Sequence, residues 1–456
     1  MIKKLIITAS ILAIIICTFL LVSRSMLYNY DVSADHVYDF SNKNARITKL
    51  NIENGQVTLP PMTGTNLSTF LKVSVDGSLI SNMLRPSLVM NTGLGSEVQF
   101  FEHGASGIRY LNISKLVGTE DQLLTVSGKR LDVDDGPVEL IQFENPVLAG
   151  KRILVLSPHP DDAEIAAFGL YSEHNDVFIA TVTSGDAGPF MYDEIYDEET
   201  EAVAHYLKKG EVRTWNSLAV PLLGGVSPEN IVNLGYNDAR LRAMYRDKDM
   251  IAAGLYTEVS NMDTFRKQNF SRLADGLVGI NNWASLVGNM KYLINEIKPD
   301  IIITPSPKLD MHSDHQYTTI AAVEALKELE IHEGTLLLYT NHQVAFNERF
   351  PYGNAGAVIS LPPTPRGSNH FTRLFSYPMN RDKQRSKIFA LDAMNDLRLG
   401  TDYRFVGRAL AQAAETFWMQ ITGKEETYFR RAIRSNEFFY VVDVKDIYDD
   451  AKLADL

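Results

Sequence analysis

The chain of 456 residues contains a single cysteine, Cys17, inside an apolar N-terminal run. No intramolecular disulfide can form, and no cysteine-based zinc site exists, so any metal must be held by His, Asp and Glu. Basic residues are also in deficit. Lys and Arg number 44 against 56 Asp and Glu, for a net charge of -12, which argues against nucleic acid as a partner because phosphate binding needs a basic surface. Low-complexity segments and internal repeats are missing. Hydrophobic residues make up 45% and charged residues 22%, a globular profile, and the length calls for two or three units.

What is present begins with an uncharged run from Leu5 to Val22, preceded by Lys3 and Lys4. It is longer than the usual apolar part of a cleaved signal and just long enough to span a bilayer. No small-residue cleavage site follows before Tyr28. The reading is a signal-anchor helix in residues 1–27 that attaches the chain to the cytoplasmic membrane. The bulk then faces the periplasm or exterior. A cleaved signal peptide is the alternative, and both readings export the protein.

Residues 28–147 read as an all-β unit of sandwich or jelly-roll type. Alternating runs at Phe70–Val75, Glu97–Phe101 and Leu123–Val126 are separated by turn signals such as Asp76-Gly77. From residue 148 to the end the pattern is α/β. Strands at Ile153–Leu156, Asp176–Thr183, Ile231–Leu234, Asp300–Thr304 and Thr335–Thr340 alternate with helices, including Ala163–Tyr171, Ala284–Ile297 and Gln316–Leu329. This predicts a Rossmann-like parallel sheet with helices on both faces and ligands at the carboxyl ends of its strands. Two helical stretches, near Asp382–Asn395 and Phe405–Ile421, make a C-terminal extension.

Two motifs carry chemistry. Ser157-Pro158-His159-Pro160-Asp161-Asp162-Ala163-Glu164 follows the first α/β strand, and the prolines stiffen the turn. Imidazole and carboxylate suit a divalent ion. Two adjacent carboxylates can divide the labour, one binding the ion and one taking a proton. His312-Ser313-Asp314-His315 follows the strand at 300–304. At the start of a helix, its two histidines lie three apart and can face one site. One would complete a His-Asp-His set, the other would meet an oxyanion or leaving amine, and Asp314 would fix a histidine tautomer. As a bland alternative, Asp162 is a helix N-cap. Glu164 is either a supporting partner of the site or a favourable charge in the first helical turn. His174, His205, His332 and His342 lack a partner pattern and read as structural. Tyr236 and Trp283 read as core.

A strand followed by Pro-His-Pro-Asp-Asp-x-Glu, with a later His-x-Asp-His, resembles the PIG-L/LmbE family of zinc-dependent N-acetylglucosaminyl deacetylases. Thr183-Ser184-Gly185-Asp186 and Leu234-Gly235-Tyr236-Asn237-Asp238 resemble two further segments of that family, in the same order. The resemblance covers about residues 151–345 and implies roles. His159, Asp162 and His315 bind Zn2+, although the donor set tolerates other divalent ions. Asp161 is the general base, and His312 holds the oxyanion or acts as acid. Asp238 contacts sugar hydroxyls. The chain departs from the family at Arg213-Thr214-Trp215-Asn216, where Asn216 replaces an expected acid, leaving Arg213 as a candidate substrate contact. An insertion from Arg240 to Trp283 is a second departure. The implied partner is an N-acetylated glycan, of an envelope or exported polysaccharide. Alternatives are a lipid-linked or small amino-sugar conjugate, or a glycan-binding scaffold with a degenerate catalytic domain. Nothing in the sequence sets an oligomeric state.

Overall fold

The computed structural model describes residues 28–342, 353–362, 369–397 and 432–456, apart from 29, 42, 63–65, 83, 175 and 191–194. Within 1–27 and 398–431 it describes only scattered helical positions (10, 11, 14, 18 and 410, 413, 417). The expected anchor over Leu5–Val22 and the helix over Phe405–Ile421 therefore lie outside the described residues. Among the described residues no helix is long and apolar enough to cross a membrane. The chain forms two compact units. Met1–Asn145, Gln343–Gly353 and Ala357–Ser368 make the first, and Pro146–His342, Asn354–Gly356 and Asn369–Leu456 the second.

Among the described residues the first unit contains nine strands: β1 (Ala45–Ile52), β2 (Gln56–Leu59), β3 (Leu67–Gly77), β4 (Ser87–Thr92), β5 (Gly95–Phe100), β6 (Ser106–Asn112), β7 (Gln122–Lys129), β8 (Leu131–Val133) and β9 (Gly136–Glu144). They pair as β1-β9-β3-β6, with β8 on β3, and as β2-β7-β4-β5. Two sheets in this order are a jelly roll. Period-two alternation turns Val57 and Leu59 of β2, Leu71, Val73 and Val75 of β3, and Val138 and Leu140 of β9 into one shared core. Phe70 of β3 and Phe143 of β9 point to the other face, where their rings meet edge-on and Phe40 packs edge-on against Phe143 and Tyr110. Residues from much later in the chain complete this unit. Val358 bridges to Gln99 and joins the core, and Asn112 Nδ2 donates to the Ile359 carbonyl.

The second unit is built from β10 (Ile153–Ser157), α1 (Asp162–Tyr171), β11 (Val177–Thr183), α2 (Ala202–Ala219), β12 (Ile231–Tyr236), α3 (Trp283–Ile297), β13 (Ile301–Pro305), α4 (Ser313–Glu328), β14 (Thr335–Tyr339), β15 (Arg373–Pro378), α5 (Arg381–Ala393) and β16 (Asn436–Asp443). The sheet runs β12-β11-β10-β13-β14-β16-β15. Its first five strands are parallel, and β16 and β15 add antiparallel at one side. This corrects the expectation of a purely parallel sheet. The run Phe438–Val442 is aromatic and β-branched, and it reaches β14 from a hundred residues further along the chain, where no local pattern announces its partner. The expected helix near Asp382–Asn395 is α5.

Both faces are covered. Ile153, Val155, Ile179, Ile231, Ile301 and Ile303 share a core with Ala163, Ala167 and Phe168 of α1 and Leu218 of α2. On the opposite face the hydroxyls of Thr304 and Thr319 meet at 2.7 Å, joining β13 to α4. From β10 the chain proceeds to β11 and β12 on one side, then crosses to β13 and β14 on the other. The crevice of the sheet therefore opens between the carboxyl ends of β10 and β13. The insertion Arg240–Trp283 covers the free edge of β12. Arg266 Nε donates to the Leu234 carbonyl at 2.6 Å, and Asn269 exchanges two bonds with the Asn233 backbone.

Candidate metal centre

The turn leaving β10 is pinned by Ser157, whose hydroxyl donates to the His159 carbonyl and accepts from the Ala163 amide. Asp161 takes the N-cap position of α1 without a side-chain capping bond, and Asp162 is the first helical residue. Asp162 is therefore not a helix cap: its Oδ2 accepts the backbone amide of His159 at 2.9 Å, within the turn that carries the motif. After β13, His312 takes the N-cap position of α4 without a side-chain capping bond and His315 lies in its first turn, which brings both imidazoles against the β10 motif.

Three donor atoms converge. His159 Nδ1 lies 3.2 Å from Asp162 Oδ2 and 3.1 Å from His315 Nε2, and His315 Nε2 lies 3.0 Å from Asp162 Oδ2. Bonds of about 2.0–2.1 Å put ligand atoms about 3.3–3.4 Å apart around a tetrahedral ion and about 2.9 Å apart around an octahedral one. The observed triangle suits either. The outer nitrogens set the tautomers. His315 Nδ1 meets Asp310 Oδ2 at 3.0 Å, and His159 Nε2 faces Asp238 Oδ1 at 3.2 Å and Asp314 Oδ2 at 3.5 Å. With those nitrogens carrying the protons, the three remaining donor atoms lie within 3.2 Å of one another, an arrangement that a cation satisfies. The electrostatics agree. Burial pulls the His315 pKa down, but Asp162 and Asp310 outweigh it and raise it to about 10. Burial likewise opposes charge on His159, and Asp238 and Asp162 raise it regardless. Burial pushes Asp162 up, yet the two histidines hold it well below the usual carboxylate range. Positive charge is thus favoured where the three atoms meet.

The remaining expected residues sort themselves around this triangle. Asp161 Oδ1 lies 3.4 Å from Arg213 Nη2, and Arg213 Nη1 lies 3.7 Å from Asp238 Oδ2, so Arg213 bridges two carboxylates at the site. His312 stacks edge-on to His159 with centroids 4.6 Å apart. Burial, together with His159, His315 and His342, lowers its pKa to about 3, which keeps it neutral, and its Nδ1 is buried without a hydrogen-bond partner among the described residues. Asp238 is turned toward His159 and Arg213 inside the protein. Besides facing His159, Asp314 accepts the Ala239 amide at 2.6 Å and so holds the loop after β12. Glu164 is buried, accepts the Tyr171 hydroxyl at 2.9 Å, and is pushed by burial up to about 8; it makes no bond to the triangle. Asn216, the departure from the expected acid, ties α2 to the end of α5: its Nδ2 donates to the Ala393 carbonyl and its Oδ1 accepts the Asn395 amide.

Three residues at the site were not singled out by their sequence context. Asp310 orients His315 and also accepts the amides of His312, Asn341 and His342. Asn341 Nδ2 donates to Asp162 Oδ1 at 2.7 Å. His342, read from sequence as structural, places its ring 4.7 Å from His315 and 5.2 Å from His312. Two of the three follow β14, and their only signal is a place at the carboxyl end of a strand beside β13. Tyr236 and Trp283 are core residues, bonded to Asn289 and Glu324.

Residues 154–326 match the family model described as PIG-L, GlcNAc-PI de-N-acetylase. Among curated proteins, none matches the chain. Among solved structures, the chain is similar to the conserved protein TT1542 from Thermus thermophilus. That likeness has 16% identity, covers 64% of this chain and 94% of that one, and has a TM-score of 0.30. It is also similar to GalB, the 4-carboxy-2-hydroxymuconate hydratase from Pseudomonas putida, at 13% identity, 64% and 96% coverage and a TM-score of 0.25. At such TM-scores neither likeness bears on fold or activity. The family match spans both motifs, the segment ending at Asp238 and the whole donor triangle, so residues 154–326 of this chain are a PIG-L domain.

Proposed function

We propose that the second unit is a metal-dependent hydrolase that removes N-acetyl groups from amino sugars and releases acetate. The observation that carries this reading is the triangle of His159 Nδ1, Asp162 Oδ2 and His315 Nε2, with a carboxylate behind each imidazole. These three residues would hold one divalent ion, which we assign as Zn2+. Bound there, it supplies Lewis acidity that polarises a carbonyl and acidifies water.

The chain's own groups supply the rest. Asp161 is the one of the two adjacent carboxylates left outside the triangle, and it takes the proton from the attacking water. Arg213 beside it, with Nη2 3.4 Å from Oδ1, aims the carboxylate. His312 is neutral, so it contributes a directed N–H dipole rather than a charge, suited to the oxygen that becomes negative when the acetamide carbon turns tetrahedral. The proton taken by Asp161 then goes to the departing sugar amine. Asp238, locked to His159 and Arg213, orients both, and any contact it makes with a sugar hydroxyl uses the lone pairs left over.

The substrate we favour is a polymeric N-acetylated glycan of the envelope or an exported polysaccharide, reached from a membrane anchor at residues 1–27, with the jelly roll as a glycan-binding accessory. The apolar run Leu5–Val22 supports export, and the all-β unit ahead of the hydrolase supports a long substrate. The test is acetate release by the full-length protein from N-acetylglucosamine oligomers and from exported polysaccharide, with zinc, with chelator and with Asp161→Asn. Release that needs metal and fails in the variant upholds the reading. A protein that binds no divalent ion and releases no acetate is a scaffold instead.

A further inference from the structure

Asp310 has both carboxylate oxygens occupied by the site. Oδ1 accepts the His312 amide at 3.0 Å. Oδ2 receives His315 Nδ1 at 3.0 Å, the Asn341 amide at 3.0 Å and the His342 amide at 3.2 Å. Asp310 is fully buried, and so is its partner Asn341. Burial pushes the Asp310 pKa up, but His315 beside it holds it below the usual carboxylate range. Asn341 then reaches across the crevice from the end of β14 to the end of β10, donating Nδ2 to Asp162 Oδ1 at 2.7 Å. The two oxygens of Asp162 are thereby given different work. Oδ1 is held by Asn341, and Oδ2 alone is left in the donor triangle.

We propose that Asp310 and Asn341 form a two-residue clamp that presets the metal site, fixing the tautomer of His315 and limiting Asp162 to one donor oxygen. Neither residue touches the ion; both are positioning residues. Asn341 also lies past residue 326, where the family match stops, so part of this chain's site is built by β14. The physical logic is that of preorganisation: carboxylates behind ligating histidines fix ring orientation and raise donor basicity, and losing them weakens metal binding by about 10–100-fold. Pinning one oxygen of Asp162 does the same for the carboxylate, because an unpinned carboxylate can turn and bind through both oxygens, raising the coordination number and closing the position that a reaction needs.

The inference rests on the metal-dependent reading above, and one experiment separates their fates. The affinity of the full-length protein for Zn2+ is measured by competition with a chromophoric chelator, for the wild type, Asp310→Asn, Asn341→Ala and Asn341→Gln. Visible absorption of the Co2+-loaded forms and melting of the metal-free forms are recorded alongside. We expect Asn341→Ala and Asp310→Asn to weaken Zn2+ binding by about 10–100-fold, with Asn341→Gln recovering part of the loss. We also expect Asn341→Ala to change the visible Co2+ absorption, as Asp162 becomes free to bind through both oxygens. Melting of the metal-free protein should change little, since the clamp's work is on the ion. Unchanged affinity and spectra in folded variants overturn the clamp while leaving the metal site standing. So does a loss of affinity that merely follows a loss of metal-free stability. A wild type that binds neither ion overturns the metal-dependent reading and the clamp with it.

Discussion

The two units bury polar groups in opposite ways. In the jelly roll the core between the sheets is aliphatic and aromatic, and among the described residues its buried charges are few and paired, as Arg109 is with Glu102. In the α/β unit, by contrast, His159, Asp162, Asp238, Asp310, Asp314 and His315 are all buried around the carboxyl ends of β10, β12 and β13. Burying a charge is costly unless it is paired and hydrogen-bonded, so a stable domain gathers six such groups only where something else offsets the cost. Each is bonded to or faces another member of the group, and the arrangement as a whole calls for a cation. One unit is organised for stability, the other carries a local expense for the sake of a site.

That contrast can be broken by experiment. The largest effect is expected from Asp162→Ala, which removes a donor and strips the His159 amide of its acceptor. Metal measured in the purified protein should fall far below stoichiometric, and acetate release should drop to background. Asp161→Asn should be nearly as damaging to turnover, by about 10²–10⁴-fold as for loss of a general base, with metal content retained. If both variants lose metal equally, the division of labour between the adjacent carboxylates is wrong. Leu140→Ala is the matching probe of the jelly roll. Cutting a fully buried leucine should cost that unit about 2–5 kcal/mol in denaturant unfolding. The Zn2+ affinity of the other unit should stay as it was; a parallel fall in affinity would deny that the two regions do separate work.

The smallest effect concerns Asp446, a buried carboxylate outside the site. Burial pushes its pKa up, but Lys452 and His370 beside it outweigh that and hold it below the usual value. A carboxyl whose folded pKa is depressed contributes stability above its unfolded pKa of about 4, and that contribution disappears as pH falls through the folded value. Asp446→Asn should therefore lower the melting temperature modestly at pH 7. The gap to wild type should close as pH drops below about 4.

Much of the site was legible because its residues sit in short runs at strand ends. His159, Asp161 and Asp162 share one turn, and His312 and His315 share one turn of helix. The strands β10 to β14 were legible because each is a compact apolar run bounded by turn residues. Asp310, Asn341 and His342 were not, since their meaning depends on β14 lying beside β13, a non-local fact. Asp310 reads as a loop acid until the Asn341 and His342 amides arrive beside it. β15 and β16 were missed for the same reason: an antiparallel strand that returns from far along the chain leaves no trace of its partner in its own residues. Asp238 shows a different limit. Its position by the site could be read, but not that His159 and Arg213 would engage its oxygens.

The late strand residues of the jelly roll also set an order of events during synthesis. Its nine described strands have all emerged by Glu144, yet Val358, whose amide donates to the Val98 carbonyl, follows 358 − 144 = 214 residues later. At a translation rate of about 5–20 residues per second, that is a wait of roughly 10–40 s. Throughout it the jelly roll is one piece short, with the edge that accepts Val358 uncovered. A nascent β unit in that state is a target for chaperones and for pairing with a neighbouring chain. Its completion is timed by the synthesis of the hydrolase unit inserted within it.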